Sequence, residues 1–332
     1  MAEPLNLLTD IGGVAVGHAT DLALGSGVTA IIFDEPAIAS GSVLGGAPGG
    51  RDTALLDPSM TVQTVDAFVL SGGSAFGLDA AGGVQSGLRE IGRGFQVGSV
   101  RVPIVPQAIL MDLLNGGNKD WGLHSPYRDM GYEAFKAAAK GEFALGTIGA
   151  GTGATTATFK GGIGSASART STGHTVAALV AANALGSATI GEGPHFWAAP
   201  FEEDNEFGGL GLPPTFDNRM RLKGRNVTST TIGVIVTDAV LTKAQAHRLS
   251  ILAHDGLARA ILPAHLPFDG DTIFSAATGA KPLSDPSDFM EICHLATLVT
   301  ARAVARGVYE ATALPNASAQ IAWRDKFTSP AK

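Results

Sequence analysis

Two long helical patterns, each standing behind an apolar strand, constrain the fold of this chain more than any other feature in it. Lys243 to Leu262 sets Ala246, Leu249, Leu252, Ala253, Leu257, Ala260 and Ile261 on one face, and Thr242 is placed to cap its start. Pro286 to Tyr309 opens with Asp285 ahead of a proline at the first helical position, and Ile292, Leu295, Val299 and Val304 recur at helical spacing. Thr230 to Val236 and Thr272 to Ala277 read as the strands before them. A helix that joins two adjacent parallel strands returns the chain to the same sheet edge. Long helices beside many strands suggest layers, with helices outside and sheets between.

The other strands come earlier. Val14 to Val16, Gly27 to Phe33 and Thr64 to Leu70 are rich in β-branched residues, and after the third a glycine turn, Ser71 to Gly77, leads into a helix from Leu78 to Ile91. Val100 to Val105 reads as a strand, Tyr132 to Lys140 as a helix, and Ala144 to Gly149, Gly162 to Ala168 and His174 to Ala182 as strands. Between Ala199 and Val227 periodicity gives way to Gly, Pro, Asn and charges. Ordinary connections run about 4–6 residues, so a loop of this length is functional or cleavable.

Composition limits the partners. The 332 residues are 45% hydrophobic and only 16% charged, which describes a compact, heavily buried protein. A net charge of −7 without any Lys/Arg run gives no basis for a nucleic-acid groove or an anionic-membrane patch. The stretch Thr175 to Gly191 is too polar for a membrane span and carries Asn183 in its middle. Cys293 is the one cysteine and cannot form an internal disulfide; the start MAEPLNLLTD lacks the regions of a secretory signal, so a cytoplasmic location is expected.

Several constellations are weak. Gly149 to Ala154 matches G-x-G-x-x-A, but no helix pattern follows it and no acid lies between Glu142 and Glu192 to bind a ribose, which argues against a dinucleotide. His247 and His254 lie seven apart on one helix, too far for one metal, and no cofactor or metal is expected. Ser74, in Ser71-Gly72-Gly73-Ser74, sits at a strand end, where a packing turn or an oxyanion-type donor fits better than a nucleophile. Lys160 is the only cation between Lys140 and Arg169, in an apolar setting where a desolvated amine can hydrogen-bond a reacting group.

The strongest unit begins at Ser229, where a hydroxyl-rich start meets an apolar strand directly after the long loop. The helical crossover to the same sheet edge places Asp269 and Asp271, ahead of the next strand, near Thr230. A threonine hydroxyl is a weak nucleophile until a base takes its proton, and a chain cut before Thr230 would supply its own α-amine, of pKa about 7.7–8.0, as that base. A turn or a calcium-like loop is the structural alternative for Asp269-Gly270-Asp271. Neither carboxylate lies on an expected core face.

These residues resemble the P1 peptidases, which include L-aminopeptidase/D-esterase enzymes, β-peptidyl aminopeptidases and nylon-oligomer hydrolases. The resemblance runs from Leu8-Thr9-Asp10 and Val16 to Asp21, through Leu70 to Ala81 and Gly149 to Ala154, to Phe268 to Thr272. It implies a single-domain α+β protein, a four-layer αββα sandwich of N-terminal-nucleophile-hydrolase type. It also implies self-cleavage between Ser229 and Thr230 into subunits 1–229 and 230–332, assembled into homo-oligomers of processed heterodimers. By the same resemblance Thr230 is the nucleophile, Asn183 the oxyanion-stabilising residue, Lys160 the lysine of the nylon-hydrolase members, and Asp269 and Asp271 the acidic pair. The substrate is then a small amide, peptide or ω-amino-acid oligomer. Two departures stand out. Ser229 occupies the place where the family often has Asn, and Gln107 aligns where aminopeptidase members hold the substrate ammonium with a glutamate. With Gln107 there, recognition of a free α-amine is weakened, an endo-acting amidase becomes more plausible and little discrimination between a free-amine substrate and its N-acylated analogue is expected, unless another carboxylate, Asp112 or Glu133 among them, takes the role. The rival readings are an ornithine-acetyltransferase-like acyl transferase and an uncleaved binding protein on the same scaffold.

Overall fold

A computed structural model describes residues 3–224 and 229–328. Strands β1 (Val14–Asp21), β2 (Ser26–Val43), β3 (Gly50–Arg51) and β4 (Thr64–Ser71) precede helix α1 (Ala80–Glu90). The short strands β5 (Phe95–Val97), β6 (Val100–Val102) and β7 (Gln107–Ile109) lead to α2 (Tyr127–Lys136). Then come β8 (Ile163–Arg169), β9 (Thr175–Ala181), β10 (Ile232–Ala239), α3 (Lys243–Ala260), β11 (Thr272–Lys281), α4 (Pro286–Tyr309) and α5 (Trp323–Phe327).

Strand β2 organises the molecule. Its first half pairs antiparallel with β1 and β4, and β4 continues through β7 to β3. Its register against β4 shifts between Ile32 and Ala37, where Pro36 lacks the N–H that a regular ladder needs. Past that break, Ile38 to Val43 pair antiparallel with β11, which runs parallel to β10; β9 and β8 complete the second sheet. One strand therefore serves two sheets that face each other.

Alternation along the strands sorts side chains between layers. Val28, Ala30 and Ile32 point outward with Val69 onto Val84, Leu88, Met130 and Ala134 of α1 and α2. Ile31, Phe33, Phe68 and Leu70 point inward and meet Leu179, Val234, Val236 and Phe274 of the other sheet, with the Phe68 and Phe274 rings stacked at 4.9 Å. The outer face of the second sheet buries Val176, Ala178, Val180, Ile235 and Ile273 against Leu249, Leu257, Ile292, Val299 and Val304 of α3 and α4. Each large apolar side chain buried this way contributes about 1.5–3 kcal/mol. The architecture is a four-layer αββα sandwich.

The two helical layers are built differently. Thr242 caps α3 through a bond from Gln245 N–H, and Asp285 caps α4 ahead of Pro286, as the sequence leads one to expect. Helices α1 and α2 instead approach so closely that a methyl group on Gly83 would lie 2.0 Å from the Arg128 carbonyl oxygen. Small residues set the distance between these two helices, while Val84, Leu88, Met130 and Ala134 face the sheet.

Several boundaries differ from expectation. Ala144 to Gly149 is not a strand: Gly146 makes one bridge to Ile163, and the chain turns through a 3-10 helix at Gly149–Gly151. Of the expected strand Val100 to Val105 only the first three residues form one, β6, which pairs with β5; the strand that joins the first sheet is β7, which begins at Gln107. Helix α2 starts after Pro126, five residues ahead of the expected Tyr132. The 199–227 segment opens with a 3-10 turn and is anchored by Glu206, which pairs with the buried Arg302 of α4; residues 225–227 lie outside the described residues. Among the described residues no helix is long and apolar enough to cross a membrane.

Candidate active site

The register between β10 and β11 recurs three residues before both strands, where Ser229 and Asp269 form a parallel bridge. That bridge immobilises the Ser229–Thr230 peptide. The Thr230 N–H donates to the Asn183 carbonyl oxygen at 3.0 Å. Two donors converge on the Ser229 carbonyl oxygen: the Thr230 hydroxyl at 2.6 Å and the Gly270 N–H at 2.9 Å. Glycine is required beside them, because a Cβ at residue 270 would stand 2.7 Å from Thr230 Oγ1 and 2.6 Å from the Ala47 carbonyl oxygen. Thr230 itself is 4% exposed.

Asp269 and Asp271 flank that glycine, and both are buried, contrary to the expectation that they stand off the core. Asp269 Oδ1 accepts from Leu185 N–H at 3.3 Å. Burial first, and then repulsion from Asp271, push its carboxyl up to about 7. Asp271 accepts from Thr231 N–H at 2.9 Å through Oδ1, while Oδ2 takes both the His265 N–H at 3.0 Å and His265 Nδ1 at 2.8 Å. Burial alone would lower the His265 pKa, but the hydrogen bond and charge of Asp271 outweigh it and raise it above the ordinary imidazole value. An acidic pair with one member held by an imidazole and the other tending to keep its proton suits proton transfer.

Asn183 connects the threonine to a cavity. Its Oδ1 accepts from Thr155 N–H at 3.0 Å and from Lys223 Nζ at 2.8 Å, and its Nδ2 donates to the Met111 carbonyl oxygen at 3.2 Å. Lys223 Nζ also donates to Ser229 Oγ at 3.2 Å and to the Thr155 carbonyl oxygen at 3.1 Å. The cavity, about 240 Å³, is lined by Met111, Asp112, Asn115, Thr155, Lys160 and Lys223 among others. Lys160 is buried and donates to the Gly161 and Gly151 carbonyl oxygens at 2.7 and 3.0 Å. Burial, with a smaller effect from Lys223, brings its pKa down to about 7; burial lowers Lys223 to about 7 as well. Asp112 accepts from Ser26 Oγ at 2.6 Å and Gly73 N–H at 2.8 Å, and burial raises its pKa. Two amines brought near neutrality in one cavity wall, beside a carboxyl that burial raises, mark a site for acid–base chemistry.

The structure brings Thr230, Ser229, Asn183, Asp269 and Asp271 together and connects them to Lys160 through the cavity. It does not bring Gln107 there. Gln107 is buried on β7, where Oε1 accepts from Ala81 N–H at 2.9 Å and Nε2 donates to Gly77, so the side chain holds the start of α1. Ser74 also stands apart, half-buried at positive φ with its N–H on the Leu110 carbonyl oxygen. Glu133 is exposed on α2. Lys223 was not legible beforehand; it lies in an aperiodic segment, and only its distance of seven residues from Thr230 points to it.

The model of peptidase family S58 matches residues 6–321. An uncharacterized aminopeptidase of Mycobacterium tuberculosis is 43% identical over 291 residues, 83% of this chain and 82% of the relative. A 6-aminohexanoate-oligomer endohydrolase of Agromyces sp. is 26% identical over 326 residues, 83% of this chain and 88% of that protein. Among solved structures, a Burkholderia sp. β-aminopeptidase superposes with a TM-score of 0.72 at 22% identity, covering 98% of this chain and 92% of its own. The L-aminopeptidase D-Ala-esterase/amidase of Ochrobactrum anthropi, a variant of the Ntn hydrolase fold, gives 0.71 at 19% identity over 97% of this chain and 92% of its own.

Proposed function

Since the chain belongs to peptidase family S58 and is a hydrolase of amide or peptide bonds, we propose that it processes itself at Ser229–Thr230 and then works through Thr230 as an N-terminal nucleophile. One observation carries this reading: the Ser229 carbonyl oxygen accepts from the Thr230 hydroxyl and from the Gly270 N–H together. In the first step Thr230 Oγ1 bonds to the Ser229 carbonyl carbon. The Gly270 N–H balances the charge that grows on the carbonyl oxygen. The carbon–nitrogen bond then breaks, leaving an ester on Oγ1 and a free α-amine. Water hydrolyses the ester to a Ser229 carboxylate and restores the hydroxyl.

In turnover the new amine takes the Thr230 hydroxyl proton, Oγ1 attacks the substrate carbonyl, and Asn183 supplies the oxyanion donor. The acyl-threonine then passes its acyl group to water. Asp269 and Asp271 orient and charge-balance the amine. The uncut chain would be a zymogen, because Thr230 is buried and Lys223, in the cavity wall, bonds both Ser229 and Asn183.

Asp112 favours a substrate with a free amine. It is a carboxylate in the cavity wall, whereas Gln107, aligned with the ammonium-binding residue, is engaged elsewhere. This supports an aminopeptidase over an endo-acting oligomer hydrolase. N-terminal sequencing after denaturing electrophoresis tests the processing: the small fragment should begin TTIGVIV. One band near 33.7 kDa, or a fragment beginning elsewhere, overturns it.

A further inference from the structure

On the outer side of α1, away from the threonine, four arginines surround one surface pocket. Arg51, Arg89, Arg101 and Arg128 line a depression of about 450 Å³, and Asp79 is its one acidic wall residue. The two sets of lining residues have no member in common with the cavity that holds Lys160 and Lys223. For a chain of net charge −7 this is a local inversion of sign.

The arginines are largely unspent. Arg51 donates to Gln85 Oε1 at 2.7 Å through Nη2 and to the Leu78 carbonyl oxygen at 3.4 Å through Nη1, and stands 3.8 Å from Asp52, itself half in solvent. Arg89, Arg101 and Arg128 make no side-chain hydrogen bond or ion pair among the described residues, and all three are exposed. Asp79 is partly occupied, since Oδ2 accepts from Ser125 Oγ at 3.0 Å.

Nor are the cations merely scattered. A methyl group placed on Gly82 would lie 3.5 Å from Arg51 Nη1 and 4.0 Å from Arg128 Nη1, so two guanidinium groups from different elements approach the same point above one backbone position. Like charges brought together this way repel. An oxyanion between them would turn the repulsion into paired, charge-assisted hydrogen bonds, for which the planar guanidinium fork is suited. The pocket falls within the usual range of small-molecule sites and holds more than one such group.

We propose that this pocket binds a small polyanion carrying at least two oxyanion groups, one over Gly82 between Arg51 and Arg128 and another toward Arg89 and Arg101. The phosphate and carboxylate forms share this chemistry, and the test separates them. Titration calorimetry of the full protein at 0.15 M NaCl should be run with tripolyphosphate, citrate and inorganic phosphate. One of the first two should bind one to one, at least tenfold more tightly than inorganic phosphate. Preference for tripolyphosphate assigns a phosphorylated ligand, and preference for citrate a polycarboxylate.

The double variant Arg101→Gln/Arg128→Gln should weaken that binding at least tenfold. Gly82→Leu, which fills the cleft without changing charge, should weaken it as much. Both variants should keep wild-type kcat/KM on an amide substrate, which also reports correct folding. Weak binding of all three anions alike overturns the proposal. So does binding that falls in the arginine variant but survives in Gly82→Leu, since that is diffuse attraction without a site.

Discussion

The two halves of the sandwich divide the work unequally. The half built from β8 to β11 with α3 and α4 is held by long capped helices on continuous apolar faces, and it presents Thr230, Asn183, Asp269 and Asp271 at one end of its strands. The half built from β1 to β7 has the shorter, uncapped helices α1 and α2, drawn together at glycines over an apolar core that includes Val28, Val69, Val84, Leu88 and Met130. It presents Asp112, from the segment after β7, to the cavity. On the proposed mechanism the half with the long capped helices would carry the groups that make and break bonds, and the other half would carry recognition. Reaction geometry tolerates displacements well under an ångström, so rigidity belongs where the nucleophile sits.

The sharpest attack on this division is Thr230→Ala. It should abolish processing and lower amide turnover by at least about 10⁴-fold, whereas Thr230→Ser should retain part of both. A folded alanine variant that turns substrate over removes the threonine from the mechanism. Next in size, Asn183→Ala should cost about 10²–10³ in kcat in a chain supplied already cut, with KM little changed. An effect confined to KM would move Asn183 from bond-making to recognition and break the contrast from its strong side.

The other half is tested through Asp112→Asn. Losing a charge-assisted hydrogen bond to the substrate ammonium is worth about 1.5–3 kcal/mol, so kcat/KM for a free-amine amide should fall about tenfold to a hundredfold. The N-acetylated analogue should be unaffected. Equal loss on both substrates would show that Asp112 acts on the chemistry.

The smallest effect concerns stability. Lys160 has a folded pKa of about 7, below its unfolded value near 10.4. Between those values the unfolded chain binds more protons, so this lysine makes stability rise with pH. Chemical denaturation at pH 7 and pH 9 should show wild type gaining about 2 kcal/mol relative to Lys160→Met across that interval. Parallel pH profiles would mean that the amine is not desolvated in solution.

The same contrast explains what the sequence disclosed. Helices α3 and α4 announce themselves by spacing and caps, and the register Ile232↔Thr272 follows from the crossover between their strands, which carries Asp269 and Asp271 to Thr230. In the other half α2 begins five residues before the expected Tyr132, because its buried face, Tyr127, Met130, Gly131 and Ala134, is half made of small residues that pack by close approach and weaken the apolar pattern. The 18 residues of β2 showed only their first stretch, since Pro36 and the acids beside it mask a strand that changes partners rather than ending. Gln107 failed as a recognition residue for a related reason: its position in the alignment was informative, but its two hydrogen bonds to the start of α1 are tertiary facts.

Strand order gives cleavage at Ser229–Thr230 a mechanical meaning. The smaller fragment would own β10 and β11, and these lie in the interior of the second sheet, with β9 of the larger fragment on one flank and β2 on the other. Withdrawing it would tear two ladders at once and expose the inner faces of both sheets. The fragment would be a keystone, cut free of its neighbours in the chain yet locked by them in space, so that a severed backbone would leave one inseparable body.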